Sequence, residues 1–146
     1  MPADPDADAL ALEELLALAR SVQERAYAPY SDYRVGAAIR SSSGRVFLGC
    51  NVENAAYPEG TCAEAGAIAA MAAAGEREIE VVVVVADGPG LTTPCGGCRQ
   101  KIREFATAET VVHAAGPDGI AASFGVADLL PSSFGPGHLG RPDPGV

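Results

Sequence analysis

The sequence predicts an α/β domain, a three-layer α/β/α sandwich around a mixed sheet. Helical and strand patterns alternate along most of the chain. Ile79–Val85 contains five consecutive valines, and β-branched side chains on both faces mark a central strand covered from both sides. The 146 residues, 48% hydrophobic and 20% charged, are ordinary for one globular domain with a real core.

The elements follow in order. Residues 1–7 read as a disordered N-terminal arm. Over residues 8–27, Leu12, Leu15, Leu16, Ala19, Val22 and Ala26 form one apolar face, with Glu13, Glu14, Arg20, Gln23 and Glu24 on the other. That is an amphipathic helix, stopped by Pro29. Val35–Arg40 and Arg45–Cys50 flank a Ser-rich turn with Gly44 and read as a hairpin. A helix from about Cys62 to Ala74 is closed by Gly75. It is apolar nearly all round, so burial on every side is expected.

After the valine strand, Pro94-Cys95-Gly96-Gly97-Cys98 leads into a helix ending near Phe105. Glu109–Ala114 reads as a strand, Pro117-Asp118-Gly119 as a turn, and Val126–Leu130 as a short helix before Pro131. Residues 135–146 read as a Gly/Pro-rich tail ending past the last packed element, which leaves 8–134 as a single domain.

Net charge is −9, with no Lys/Arg run, so a polynucleotide backbone would meet repulsion and no polynucleotide partner is expected. The longest apolar stretch, residues 65–75, is too short to span a bilayer. The N-terminus is acidic where a secretory signal needs positive charge, and no lipidation motif ends the chain. A cytoplasmic protein without membrane contact is the expectation. No P-loop, G-x-G-x-x-G or G-x-S-x-G pattern occurs.

Four cysteines in such a chain point to metal or catalysis rather than disulfides. Three of them, Cys62, Cys95 and Cys98, fall at two predicted helix starts, where free N–H groups and the dipole stabilise thiolates. Three ligands leave one tetrahedral position of Zn²⁺ open for water. Glu64, two residues after Cys62, can serve that water without ligating the metal. Asn51 and Glu53 are spaced i, i+2 at the end of a predicted strand, which points their side chains the same way.

Here the sequence resembles the cytidine deaminase family in its small form with three cysteine ligands. The segments that carry the likeness are Ala26–Ser31, Val35–Ala38, Gly49–Pro58, Thr61–Glu64, Pro94–Gln100 and Leu129–Pro131 with Phe134. The resemblance implies zinc on Cys62, Cys95 and Cys98, with Glu64 as catalytic proton shuttle between water, ring N3 and the leaving amine. It implies a nucleoside substrate, cytidine or deoxycytidine, losing its 4-amino group in pyrimidine salvage. It implies ribose contacts from Asn51 and Glu53, further substrate contacts from Tyr33, Ala63, Tyr57 and Phe134, and a homotetramer whose subunits complete each other's sites. A deaminase of a modified cytosine nucleoside, blasticidin S-like, and a non-catalytic structural zinc fold are the alternatives.

Two departures from the family pattern stand out. Ala65 replaces an arginine that offsets the thiolate charge in many members, so helix dipoles, backbone N–H groups or another cation must serve. Tyr33 stands where phenylalanine is frequent. Of the remaining residues, Cys50 reads as a buried core thiol, His113 as structural and His138 as solvated. For Arg99, a thiolate contact and a surface role are both open.

Overall fold

In the computed structural model, which describes residues 4–146, five strands form one sheet in the order β2-β1-β3-β4-β5. They are β1 (Val35–Ser41), β2 (Val46–Cys50), β3 (Ile79–Ala86), β4 (Ala106–Gly116) and β5 (Gly119–Gly125). The β3–β4 pair is parallel and every other pair antiparallel, so the sheet is mixed, as expected. Helix α1 (Pro5–Gln23) covers one face. Helices α2 (Ala63–Ala73), α3 (Gly96–Phe105) and α4 (Val126–Leu129) cover the other.

The valine run works as its pattern predicts. Val82 and Val84 pack with Ala67, Met71 and Ile102 on the α2/α3 face. Val83 and Val85 pack with Leu15 and Ala19 beneath α1. Alternation along one strand thus supplies two cores.

Four expectations need correction. Of the arm expected over 1–7, residues 1–3 lie outside the described residues, and the chain from Pro5 is already helical. Asp4 caps that helix, its side chain accepting from the Asp6 N–H at 3.0 Å, and Pro5 opens the first turn. At the other end α1 stops at Gln23, short of residue 27, because Tyr27 leaves to bridge Val52. Helix α2 is buried only on the face carrying Ala63, Glu64, Ala67, Ile68 and Met71, while Ala69, Ala70 and Ala73 are exposed. The tail of 135–146 is folded back rather than trailing. A 3-10 turn spans Pro136–Leu139, and Val146 packs against the α2/α3 core.

That tail is fastened by one ion pair. Both Asp143 oxygens accept from Arg103 Nη2, at 2.9 and 3.0 Å, and Ser133 Oγ accepts from Arg103 Nε at 3.0 Å. The N–H of Gly145, then Arg103, hold the Asp143 carboxyl below its usual range. A depressed carboxyl contributes stability above its unfolded pKa and loses it as pH falls through the folded value. Asp143→Asn is therefore expected to melt below the wild type at pH 7, with the gap closing in strong acid, as thermal unfolding at a series of pH values would show.

The connections after β2 and β3 leave the same edge of the sheet, since Gly36 lies opposite both Cys50 and Val85. Helices α2 and α3 consequently begin side by side at that edge. The fit of α2 depends on Gly49, where a Cβ would stand 2.2 Å from the Ala63 carbonyl oxygen and 2.5 Å from the Ala67 nitrogen. Backbone cannot yield as a side chain tip can. Gly49→Ala is expected to destabilise by about 1–3 kcal/mol, read as a lower urea midpoint. It should also lower kcat/KM, because the displaced helix end carries Cys62 and Glu64.

Candidate metal centre and active site

Cys62 and Cys95 occupy the positions just before α2 and α3, in extended backbone conformation, and Cys98 sits in the first turn of α3. Their three sulfurs lie within 4.8 Å of one another, with Cys62 and Cys95 Sγ 3.7 Å apart. Tetrahedral Zn–S bonds of about 2.3 Å require sulfurs about 3.8 Å apart, so spacing and donor chemistry both fit zinc. Among the described residues this is the only cluster of three metal-binding side chains. Cys98 is buried while Cys62 and Cys95 face the opening.

The metal-free thiols resist ionisation unequally. Burial, then the neighbouring Glu64 charge, pushes Cys98 far up. Burial also raises Cys62. Burial opposes ionisation of Cys95 too, but the Cys98 backbone N–H and the Cys62 thiol outweigh it and leave its pKa lowered. The helix start thus favours one thiolate and leaves the others to be ionised by the metal itself.

Glu64 is only 3% exposed. Burial raises its pKa against the opposing pull of a hydrogen bond with Cys98. A carboxyl poised high in its range is suited to taking and returning a proton. Lys101 is the cation whose charge reaches Glu64. Arg99 is half-buried and makes no hydrogen bond to a thiol. Its guanidinium donates to the Pro94 and Leu129 carbonyls at 2.7 and 2.8 Å and to Thr93 Oγ1 at 2.9 Å, tying the approach to Cys95 to the end of α4.

Cys62, Ala63, Glu64 and Cys95 open onto a cavity of about 230 Å³ that Tyr33 and Asn51 also line. Val84 of the central strand forms part of its wall, as do Thr92 and Thr93, which sequence reasoning did not single out. Their position two residues and one residue before Pro94 was the available signal. Asn51 is anchored rather than free, its Oδ1 accepting from the Val35 N–H at 2.9 Å and its Nδ2 donating to the Tyr33 carbonyl at 2.8 Å.

Glu53 does not join Asn51 in that cavity. β2 ends at Cys50, but Val52 bridges Tyr27 and Thr61, and Asn51 and Glu53 pair through their backbones with Tyr27, so the chain stays extended there. The contacts of the Glu53 carboxylate are what set it apart. Glu53 lines a separate cleft of about 340 Å³ with Tyr30, Ser31 and Tyr57. Its carboxylate accepts from the Ser31 hydroxyl and from the Tyr30 and Ser31 N–H groups at 2.9 and 3.1 Å. The Ser31 hydroxyl first, and then those N–H groups, hold its pKa down against burial. Ser31 Oγ also accepts from the Tyr33 N–H at 3.0 Å, so the segment from Ser31 to Tyr33 joins the two cavities.

Tyr57 is 76% exposed and meets Tyr30 edge to face at 5.9 Å. Phe134 lines neither cavity. It is 56% exposed, stacks on His138 at 4.9 Å between ring centres, and its carbonyl accepts from Gln100 Nε2. His138 is exposed, as expected, while its ring stacks on Phe134 and its Nδ1 accepts from the Gly135 N–H at 3.1 Å. His113 Nδ1 pairs with Ser123 Oγ at 2.7 Å, a structural contact as expected. Cys50 is half-buried rather than fully enclosed.

The profile of the family described as the cytidine and deoxycytidylate deaminase zinc-binding region matches residues 11–114. A cytidine deaminase of Sporosarcina psychrophila is 40% identical over 123 residues, covering 84% of this chain and 90% of the relative. One from Halalkalibacterium halodurans is 38% identical over 120 residues, 82% of this chain and 91% of the relative. The crystal structure of cytidine deaminase from Burkholderia pseudomallei superposes with a TM-score of 0.79 at 40% identity, over 84% of this chain and 98% of that one.

Proposed function

Because the chain belongs to the cytidine and deoxycytidylate deaminase family, we propose that it hydrolyses cytidine and deoxycytidine to uridine and deoxyuridine with release of ammonia. The observation that carries this reading is the buried Glu64 carboxyl beside three sulfurs within 4.8 Å of one another, on the wall of a cavity. Pyrimidine salvage in the cytoplasm is the setting that such a reaction fits. Among the described residues no helix is long and apolar enough to cross a membrane.

Zinc held by Cys62, Cys95 and Cys98 would supply Lewis acidity that lowers the pKa of water. Glu64 takes the proton that this water gives up and carries it to ring N3 as the water oxygen bonds to C4. It then takes the proton of the new C4 hydroxyl and delivers it to the amine, which leaves as ammonia when the C4–N bond breaks. One carboxylate serves as base and then acid, which its raised pKa permits. Ala63, first residue of α2, brings a backbone N–H that has no partner within the helix, and it donates to the ring carbonyl. Tyr33 offers its ring to the base. Asn51, its amide held by Val35 and Tyr33, shapes the cavity wall beside the sugar, and Glu53 meets the ribose hydroxyls from the adjoining cleft. Tyr57 and Phe134 present rings to solvent in a single chain. In the homotetramer we propose, they complete the sites of neighbouring subunits. Sedimentation at micromolar concentration is expected to show four chains, and a monomer there would remove that assembly.

The direct test is turnover of cytidine by the zinc-loaded protein, followed by absorbance with ammonia assayed alongside. Stoichiometric uridine is expected. Activity confined to modified cytosine nucleosides, or none with zinc bound, would overturn the proposal. Glu53 is held in its charged form, and an anion beside the sugar repels a 5′-phosphate. Cytidine monophosphate should therefore show a kcat/KM about tenfold or more below that of cytidine, and equal values would remove Glu53 from the sugar's surroundings.

A further inference from the structure

The Thr92 hydroxyl pairs with the Tyr33 hydroxyl, and both residues line the cavity that holds Glu64. Tyr33 is consequently held at every polar atom it has. Its N–H donates to Ser31 Oγ at 3.0 Å, its carbonyl accepts from Asn51 Nδ2 at 2.8 Å, and its hydroxyl meets Thr92. Gly88 closes on the ring, since a Cβ there would stand 2.2 Å from Tyr33 Cε2. Thr92 belongs to an equally constrained segment. The next two residues, Thr93 and Pro94, both accept from the Arg99 guanidinium. The ring therefore has one orientation imposed from its backbone, its flank and its tip.

We infer that Thr92 is a positioning residue whose hydroxyl, paired with that of Tyr33, fixes the aromatic ring as a wall of the nucleoside cavity. The inference rests on the deamination reading above. In the free cavity either hydroxyl alone can turn to water, because Tyr33 is 36% exposed. A bound nucleoside displaces that water, and a hydroxyl without its mate then loses a hydrogen bond. The penalty falls on substrate binding rather than folding, and on removal of one hydroxyl rather than both.

Tyr33→Phe, Thr92→Val and the double variant test this through kcat and KM for cytidine, with melting temperature and zinc content measured on each. Either single substitution is expected to raise KM about five- to tenfold, with kcat moving far less. The double substitution should bring KM back to within about twofold of wild type. Thr92→Ser, which keeps the hydroxyl, should bind cytidine better than Thr92→Val. Additive single effects, or an unmoved KM in both singles, overturn the inference. So does a loss of stability or zinc that tracks the KM change, which would make the pair merely structural. Wild-type protein that fails to deaminate cytidine overturns the functional reading itself, and this inference with it.

Discussion

Glu64→Gln is expected to fold, bind zinc and deaminate cytidine about 10³-fold more slowly than wild type. Glutamine matches glutamate in shape and fills the same space at the start of α2, but it neither takes a proton from water nor returns one to the ring. The side chain is almost fully enclosed, so buffer cannot substitute for it. Burial already penalises its charged form. A neutral amide therefore removes a cost, and the metal-free variant should melt no lower than wild type. Steady-state kinetics beside zinc analysis check this. Normal turnover by a zinc-loaded Glu64→Gln protein would exclude Glu64 as the proton carrier.

Cys98→Ala should act earlier, on the metal. Cys98 is the buried member of the three, and its pKa is the most strongly raised. Its sulfur ionises when zinc pulls the proton off. With two thiolates left, zinc content should fall well below one per chain, and turnover should drop by at least about 10³-fold as Lewis acidity is lost. Zinc added back to chelator-treated wild type should raise its melting temperature, since a ligand bound only by the folded state stabilises it. That rise should vanish in Cys98→Ala. Cys50→Ala provides the control, because Cys50 lies outside the cluster and its removal should leave zinc stoichiometry intact.

What could be read from the chain depended on the range of the physics involved. The valine run announced a central strand because one side chain type satisfied both faces, and the cysteines announced a metal because their chemistry and helix-start positions are local signals. β5 went unassigned. Its residues are mostly Gly, Ala and Ser, with Ile120 and Phe124 alone offering strand character, and pairing with β4 supplies what its own sequence lacks. The folded tail was hidden for another reason. Arg103 and Asp143 are 40 residues apart, and neither shows in its own neighbourhood that the other exists. The i, i+2 spacing of Asn51 and Glu53 carried the extended backbone about Val52 but not the Tyr30 and Ser31 contacts that draw Glu53 into its own cleft. The Tyr33–Thr92 contact spans 59 residues and left no periodic trace.

The approach of α2 to β2 at Gly49 is main chain against main chain, with no intervening side chain whose size could set the distance. The distance between helix and strand is therefore set by backbone alone at this point, and Cys62 at the helix start is held by a residue that carries no functional group. A mutational scan of the α2–β2 contact should find Gly49 intolerant even of alanine.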